Sequence, residues 1–487
     1  MRSDWILGSC VVAIFAAAGS AQTLDLIDQG LLPGDAGIVA APNNQSSHVV
    51  ARGGDQYLVV WADRRAQQTT SVAPQSRGDI YAMRLNAQGE AIDQVPFIVG
   101  AAFGEQSQPK VAWNGENWLV VFISQDPDNG YFADRIRAVR VSPLGEILDP
   151  TPISFPATQF TPDTIGLQVA GLGSQWIVTR CVYHSDGYGT FLGGQRISGT
   201  GALLDSSPVM LMDWTYGPCT TIATQTEFLV AGPDWSNSAA IKARRVSGAM
   251  SPIGAAFNVP SRSIASNGTE YYVAWTSGGN LVGSRMTSGG TLVSPAGTVL
   301  ATGASPGHTT VSHDGVNWWV EWGAAAELRT MRVSPSGAAL DPLGGAMLPI
   351  VIGGTSGFAY DPVVVGRAGG GATVFWNDSR AAMSSDTNVY SLTIDASNAP
   401  IEERVVSTSS PNQRTADLAT GPGDQTALVF VSEAADVDRV LVQFLDGNGV
   451  ATRAEPIEVF RGVNVGRAKI AWNGSVYMIA FDAGLTG

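Results

Sequence analysis

One pattern of hydrophobic and polar positions recurs nine times along the chain. It is a short apolar strand, a turn containing Asn-Gly or several glycines, and an apolar strand rich in aromatic residues, as in Val111-Ala-Trp-Asn-Gly-Glu-Asn-Trp-Leu-Val-Val-Phe122. The other copies end at Trp61, Arg180, Gly232, Trp275, Trp322, Trp376, Val431 (a weaker copy) and Phe481. After each hairpin comes a variable polar loop and a second hairpin, exemplified by residues 79–99. The unit therefore has four strands, A to D, and a self-similar period of roughly 40–60 residues marks a propeller or solenoid. No such unit can bury its apolar faces alone, so the repeats must stack on one another.

Counting the units predicts an all-β propeller over residues 22–487, with eight complete four-stranded repeats and a ninth blade shared between the two termini. The ninth copy stops after strand B at Phe481, whereas Leu26-Ile27-Asp28-Gln29 resembles the strand-D start Ala91-Ile92-Asp93-Gln94. That similarity predicts a junction of Leu26 with Ile470. Period-two alternation puts an arginine at one spot of strand C in six units: Arg84, Arg140, Arg196, Arg245, Arg285 and Arg332. Units seven and eight depart, with Thr393 and Phe444 there. The expected partners are the acids that open strand D, Asp93, Asp149, Asp205 and Asp341, and such pairs belong to the scaffold. Asn114-Gly115, Asn267-Gly268, Asp314-Gly315 and Asn473-Gly474 supply the positive φ that a twisted hairpin turn needs.

The strand pattern resembles bacterial secreted β-propeller repeats of the TolB-type and WD40-like kind, in which such a hairpin precedes an Ile-Tyr strand. The resemblance implies a propeller that serves as a binding platform, a periplasmic partner or, in some members, an enzyme. Residues 1–21 read as a signal peptide, with Arg2, an apolar run from Cys10 to Ala18, and small residues at Gly19 and Ala21. They predict a secreted, periplasmic or cell-surface protein. A lipoprotein reading of Leu7-Gly8-Ser9-Cys10 suffers because that cysteine precedes the apolar run. No later stretch has the length of a membrane helix. Two cysteines then remain, Cys181 and Cys219, which an up-down meander puts at one face of neighbouring blades, as a disulfide or as two buried thiols. The net charge of −14 argues against nucleic acid.

Candidate chemistry lies where the repeat breaks, in the B-to-C loops, which share a face of the disc with the D-to-A loops. Trp-Ala-Asp-Arg at Trp61 and Trp-Asn-Asp-Ser-Arg at Trp376 nominate Asp63, Arg64, Asp378 and Arg380 as anchors for a polar ligand; alternatively they are strand-end acceptors paired with arginine. Asp126, Asp128 and Asp134 form a partial calcium loop, with Gly130 and Tyr131 at mismatched positions, so calcium is the one cofactor considered and a solvated turn is its rival. The four histidines, His48, His184, His308 and His313, fall in no metalloprotease or paired-ligand spacing. No reaction signature is present. These features predict a binding scaffold for a protein or polysaccharide, with a propeller enzyme of glycoside hydrolase or lactonase type, or a structural envelope module, as alternatives.

Overall fold

A computed structural model describes residues 11–15, 39–40, 45–64, 76–101, 104–125, 134–156, 166–184, 189–302, 309–324, 327–347, 360–367, 370–378, 388–409, 412–421, 425–433, 438–446, 451–453, 456–462 and 465–483. The chain divides into two compact units. The larger comprises Asn43–Arg380 and Ser385–Ser407; the smaller comprises Met1–Pro42, Ala381–Ser384 and Thr408–Gly487.

The larger unit is built of seven four-stranded antiparallel meanders. Their A and B strands are Gln45–Gly53 and Gln56–Asp63, Gly104–Trp113 and Trp118–Gln125, Gln168–Leu172 and Gln175–Tyr183, Thr220–Ala223 and Glu227–Asp234, Ile264–Ser266 and Tyr271–Ser277, Thr309–His313 and Trp318–Ala324, and Tyr360–Gly366 and Ala372–Asp378. Strands C and D follow in each, for example Ser76–Asn86 and Phe97–Gly100 in the first sheet and Asn388–Ile394 and Pro400–Val405 in the seventh. Parallel bridges from Ser76 and Gly78 to Gly104 and Glu105 also join the first sheet to the second.

Strand B explains the continuous apolar runs. Lying between two neighbouring sheets, it is buried on both faces, so Leu58, Val60 and Ala62 pack on Trp118, Val120 and Phe122 of the second sheet while Tyr57, Val59 and Trp61 face the other way. The same interleaving joins Val121 to Trp176, Ile177 to Phe228, Leu229 to Tyr271, and Tyr272 to Trp318. Close approach of neighbouring inner strands demands small residues: a Cβ on Gly171 would run into the Trp113 carbonyl.

The ring closes at the seventh sheet. Phe375, Val389 and Val406 pack against Tyr57, Trp61, Tyr81 and Met83 of the first, so the larger unit is a seven-bladed propeller. The expectation of eight complete blades with a ninth shared by the termini is not confirmed: among the described residues the first sheet's outward face is covered by the seventh.

Outer stitching shows how the closure is specified. Arg84 pairs with Asp93 and its Nη1 donates to Pro143 O in the next sheet's C-to-D turn; Arg140 pairs with Asp149 and donates to Gly199 O; Arg332 pairs with Asp341 and donates to Ala396 O. Arg196 pairs with Asp205 as expected, whereas Arg245 and Arg285 pair with Glu227, which opens strand B, and Glu270, which precedes it. These pairs are bidentate and largely shielded, and so stronger than exposed surface pairs. In the seventh sheet Thr393 takes the arginine's spot, and its Oγ1 donates to Gln88 O in the first sheet at 3.2 Å, while Arg367 Nε donates to Ala87 O at 2.8 Å.

The smaller unit holds the eighth and ninth copies. Asn412–Thr420, Thr426–Glu433, Asp438–Leu445 and Ile457–Gly462 form a four-stranded sheet, and Val465–Trp472 pairs with Tyr477–Ala483. They pack through Val429, Val431, Phe444, Ile470, Tyr477 and Ile479. The segment expected to pair there, Leu26–Gln29, lies outside the described residues. Val11–Phe15 instead pairs antiparallel with Tyr477–Phe481, a β-branched run joining an open strand edge.

Candidate functional site

The sheets meet on one face through their D-to-A and B-to-C connections, and among the described residues one break in the repeat there lies between the third and fourth sheets. The D-to-A residues Asp213 and Trp214 and the fourth sheet's tight B-to-C turn, Asp234 to Ser236, line a cavity of about 480 Å³ together with Lys242 and Arg244 of its strand C. Trp214 and Trp235 line it. They are 47% and 54% exposed, and Tyr216 beside them is 39% exposed. None of the three occupies a repeated core position.

Backbone geometry holds the indoles out. Trp214 has φ 52°, a left-handed conformation that costs a non-glycine residue about 1–2 kcal/mol. The surroundings fix it: Trp214 N donates to its neighbour Asp213 Oδ1, Trp235 N donates to Trp214 O at 2.8 Å, and Thr190 Oγ1 donates to Thr215 O. The Trp214 ring lies against Gly189, where a Cβ would clash with it, and its centroid is 5.9 Å from the His184 ring. Tyr216 and Trp235 meet edge to face at 5.6 Å. Such a held strain at exposed aromatic residues points to function.

Both acids of the cleft are paired. His184 Nε2 lies 2.8 Å from Asp213 Oδ1, and Lys242 Nζ lies 2.7 Å from Asp234 Oδ2. The Lys242 hydrogen bond, reinforced by Ser236, holds the Asp234 carboxyl below its usual range. Arg244 Nη1 donates to Leu211 O, and its buried Nε has no hydrogen-bond partner among the described residues. Polar edges therefore alternate with flat aromatic faces around one concavity.

Of the ligand and metal candidates nominated from the sequence, those that are described lie outside this cleft. Asp63 is 1% exposed and accepts from Trp61 Nε1 at 2.7 Å and Gln45 Nε2 at 3.4 Å, so it braces the strand end rather than meeting solvent. Burial, with the charge of Asp63 opposite, pushes the Asp79 carboxyl up. Arg64 pairs with Glu105 of the second sheet at 2.8 Å instead of with its neighbour Asp63. Asp378 ends its strand opposite Asn388, and Arg380 lies outside the described residues. So do Asp126 and Asp128, while Asp134 opens a strand opposite Gln125.

Cys181 and Cys219 do come together. Their sulfurs are 4.0 Å apart as free thiols, both within reach of Gly217 O. A disulfide needs about 2.05 Å, so the pair as it stands is a thiol–thiol contact. The contact with Cys219 lowers the Cys181 thiol's pKa, and the same contact together with burial raises that of Cys219.

No protein-family model and no curated protein matches the chain. Among solved structures it is similar to the acylaminoacyl peptidase of Pyrococcus horikoshii, at 8% identity and TM-score 0.43, covering 82% of this chain and 57% of that one. A subtype N11 neuraminidase-like protein of A/flat-faced bat/Peru/033/2010 gives 8% identity and TM-score 0.40, covering 79% and 96%. Kluyveromyces lactis Hsv2 gives 9% and 0.38, covering 75% and 99%. The chain thus spans little more than half of the peptidase's length. No residue here takes a role from similarities of that size.

Sequence reading missed the cleft because it followed charge in the longer B-to-C loops. Its signal was nonetheless present: Trp214, Tyr216 and Trp235 are aromatic residues off the repeat, in two segments that only the stacking of sheets brings together.

Proposed function

We propose that the protein is an exported propeller scaffold, of the secreted bacterial TolB-type or WD40-like kind, that binds a polysaccharide in the cleft between its third and fourth sheets. The observation that carries this is the pair of half-exposed indoles held over one polar concavity. A sugar ring offers an apolar face of C–H groups and a rim of hydroxyls. Flat aromatic faces bury the former, and fixed charges at the edge bond the latter.

The same geometry favours holding over cutting. Glycoside hydrolysis needs one carboxyl group kept protonated near neutrality, and Asp234 is displaced in the opposite direction by Lys242. Asp213 accepts from His184 and from the Trp214 backbone. Both acids are occupied as props for the aromatic residues.

Titration with a panel of neutral and amino-sugar hexasaccharides, followed by tryptophan fluorescence, tests the reading. At least one sugar should give a saturable shift with a Kd in the micromolar to millimolar range, about −4 to −8 kcal/mol. An unchanged spectrum with the whole panel would refute it.

A further inference from the structure

A second cavity, of about 580 Å³, opens where the inner strands of sheets four to seven begin. Its walls are fixed by bonds between neighbouring sheets: Thr220 Oγ1 donates to Arg262 O at 3.0 Å, Ser263 Oγ donates to Thr309 O at 2.7 Å, and Thr310 Oγ1 accepts from Val364 N at 3.2 Å. These hydroxyls join inner strands that share no backbone ladder. The cavity is therefore rigid and within the size range of small-molecule sites.

Arg262 lines this cavity. All six strand-C arginines are paired with acids, yet the Arg262 guanidinium has no acidic partner among the described residues. None of the residues lining the cavity is a carboxylate. The hydroxyls of Thr276 and Thr309, also on the wall, make no hydrogen bond to described residues. In a chain of net charge −14, a part-buried cation without an acid beside open hydroxyls is a receptor for an anion that itself carries hydroxyl groups.

We propose that this cavity binds the carboxylate of a sugar acid, with Arg262 gripping the carboxylate and Thr276 and Thr309 bonding ring hydroxyls. The site is independent of the aromatic cleft. Its ligand is either a free monosaccharide acid or the acidic residue of a longer chain, which share the same recognised group.

Calorimetry with glucuronate and glucose, rings alike except for the carboxylate, tests the assignment. Glucuronate should bind at least about tenfold more tightly, a difference of some 1.4 kcal/mol. Arg262→Gln should abolish the preference with the melting temperature unchanged, because the arginine's structural bond is made by its backbone carbonyl. Arg262→Lys should keep part of it, and Trp235→Ala should keep all of it. Equal binding of the two sugars, or a preference that survives Arg262→Gln, would overturn the proposal. Loss of the preference in Trp235→Ala alone would overturn it too, by moving carboxylate recognition to the cleft. A polyuronate that binds more tightly than the monomer, with both sensitive to Arg262→Gln, would identify the longer chain as the ligand.

Discussion

Replacing Glu321 with glutamine is expected to stabilise the protein at pH 8 by on the order of 4 kcal/mol and to change little at pH 4.5. Glu321 lies in strand B of the sixth sheet, fully buried, between Thr310 and Thr330 of the flanking strands. Thr310 Oγ1 donates to its Oε2 at 3.0 Å, and Oε1 has no hydrogen-bond partner among the described residues. Burial pushes the carboxyl from 4.5 up to about 8, with only the Thr310 bond opposing. Between those values the native state holds a proton that the unfolded chain has lost. Stability from this group is thus full below pH 4.5 and falls by about 1.4 kcal/mol for each pH unit until the native carboxyl ionises. Glutamine offers Thr310 the same acceptor and cannot ionise. Melting temperatures of the two proteins from pH 4.5 to 8 should diverge as pH rises; parallel curves would mean that the carboxyl is ionised in the fold.

Removing the exposed indoles should abolish polysaccharide binding without unfolding the protein. Trp235→Ala deletes a ring that is 54% exposed, and Trp214→Gly deletes the other while supplying a residue that adopts φ 52° without strain. An aromatic anchor at the centre of an interface contributes about 2 kcal/mol, so each variant should bind roughly 30-fold more weakly and the double variant not measurably. Isothermal titration beside melting curves distinguishes this from general destabilisation. Retention of parent affinity in the double variant would place the ligand outside the cleft.

Much of the scaffold was legible because it repeats. Alternation along strand C located the arginines, and four of their acids, Asp93, Asp149, Asp205 and Asp341, accept from them as expected. Asn-Gly turns behave likewise: Asn114 Oδ1 accepts from the backbone of Glu116 and Asn117, and Gly115 takes φ 104°. Ring size was not legible, because counting units does not reveal which pair closes. Thr393 was visible as a departure from the arginine series, but its meaning depends on Gln88, about three hundred residues away in the chain and 3.2 Å away in space. The loop charges take their partners for a related reason. Asp63 is buried against Trp61 and Gln45, and Arg64 reaches Glu105, a contact set by the neighbouring sheet rather than by sequence proximity. Cleft and cavity alike are assembled from segments of adjacent sheets, and no single repeat contains either.

As proposed, the seven-sheet ring binds polysaccharide by itself, closed by Thr393 and Arg367 on the first sheet. Its most direct test is the polysaccharide affinity of a chain limited to residues 43–407 beside that of the full protein. The ring should fold cooperatively and bind with a Kd within about twofold of the full chain's. A fragment that fails to fold, or that folds and loses binding, would contradict it.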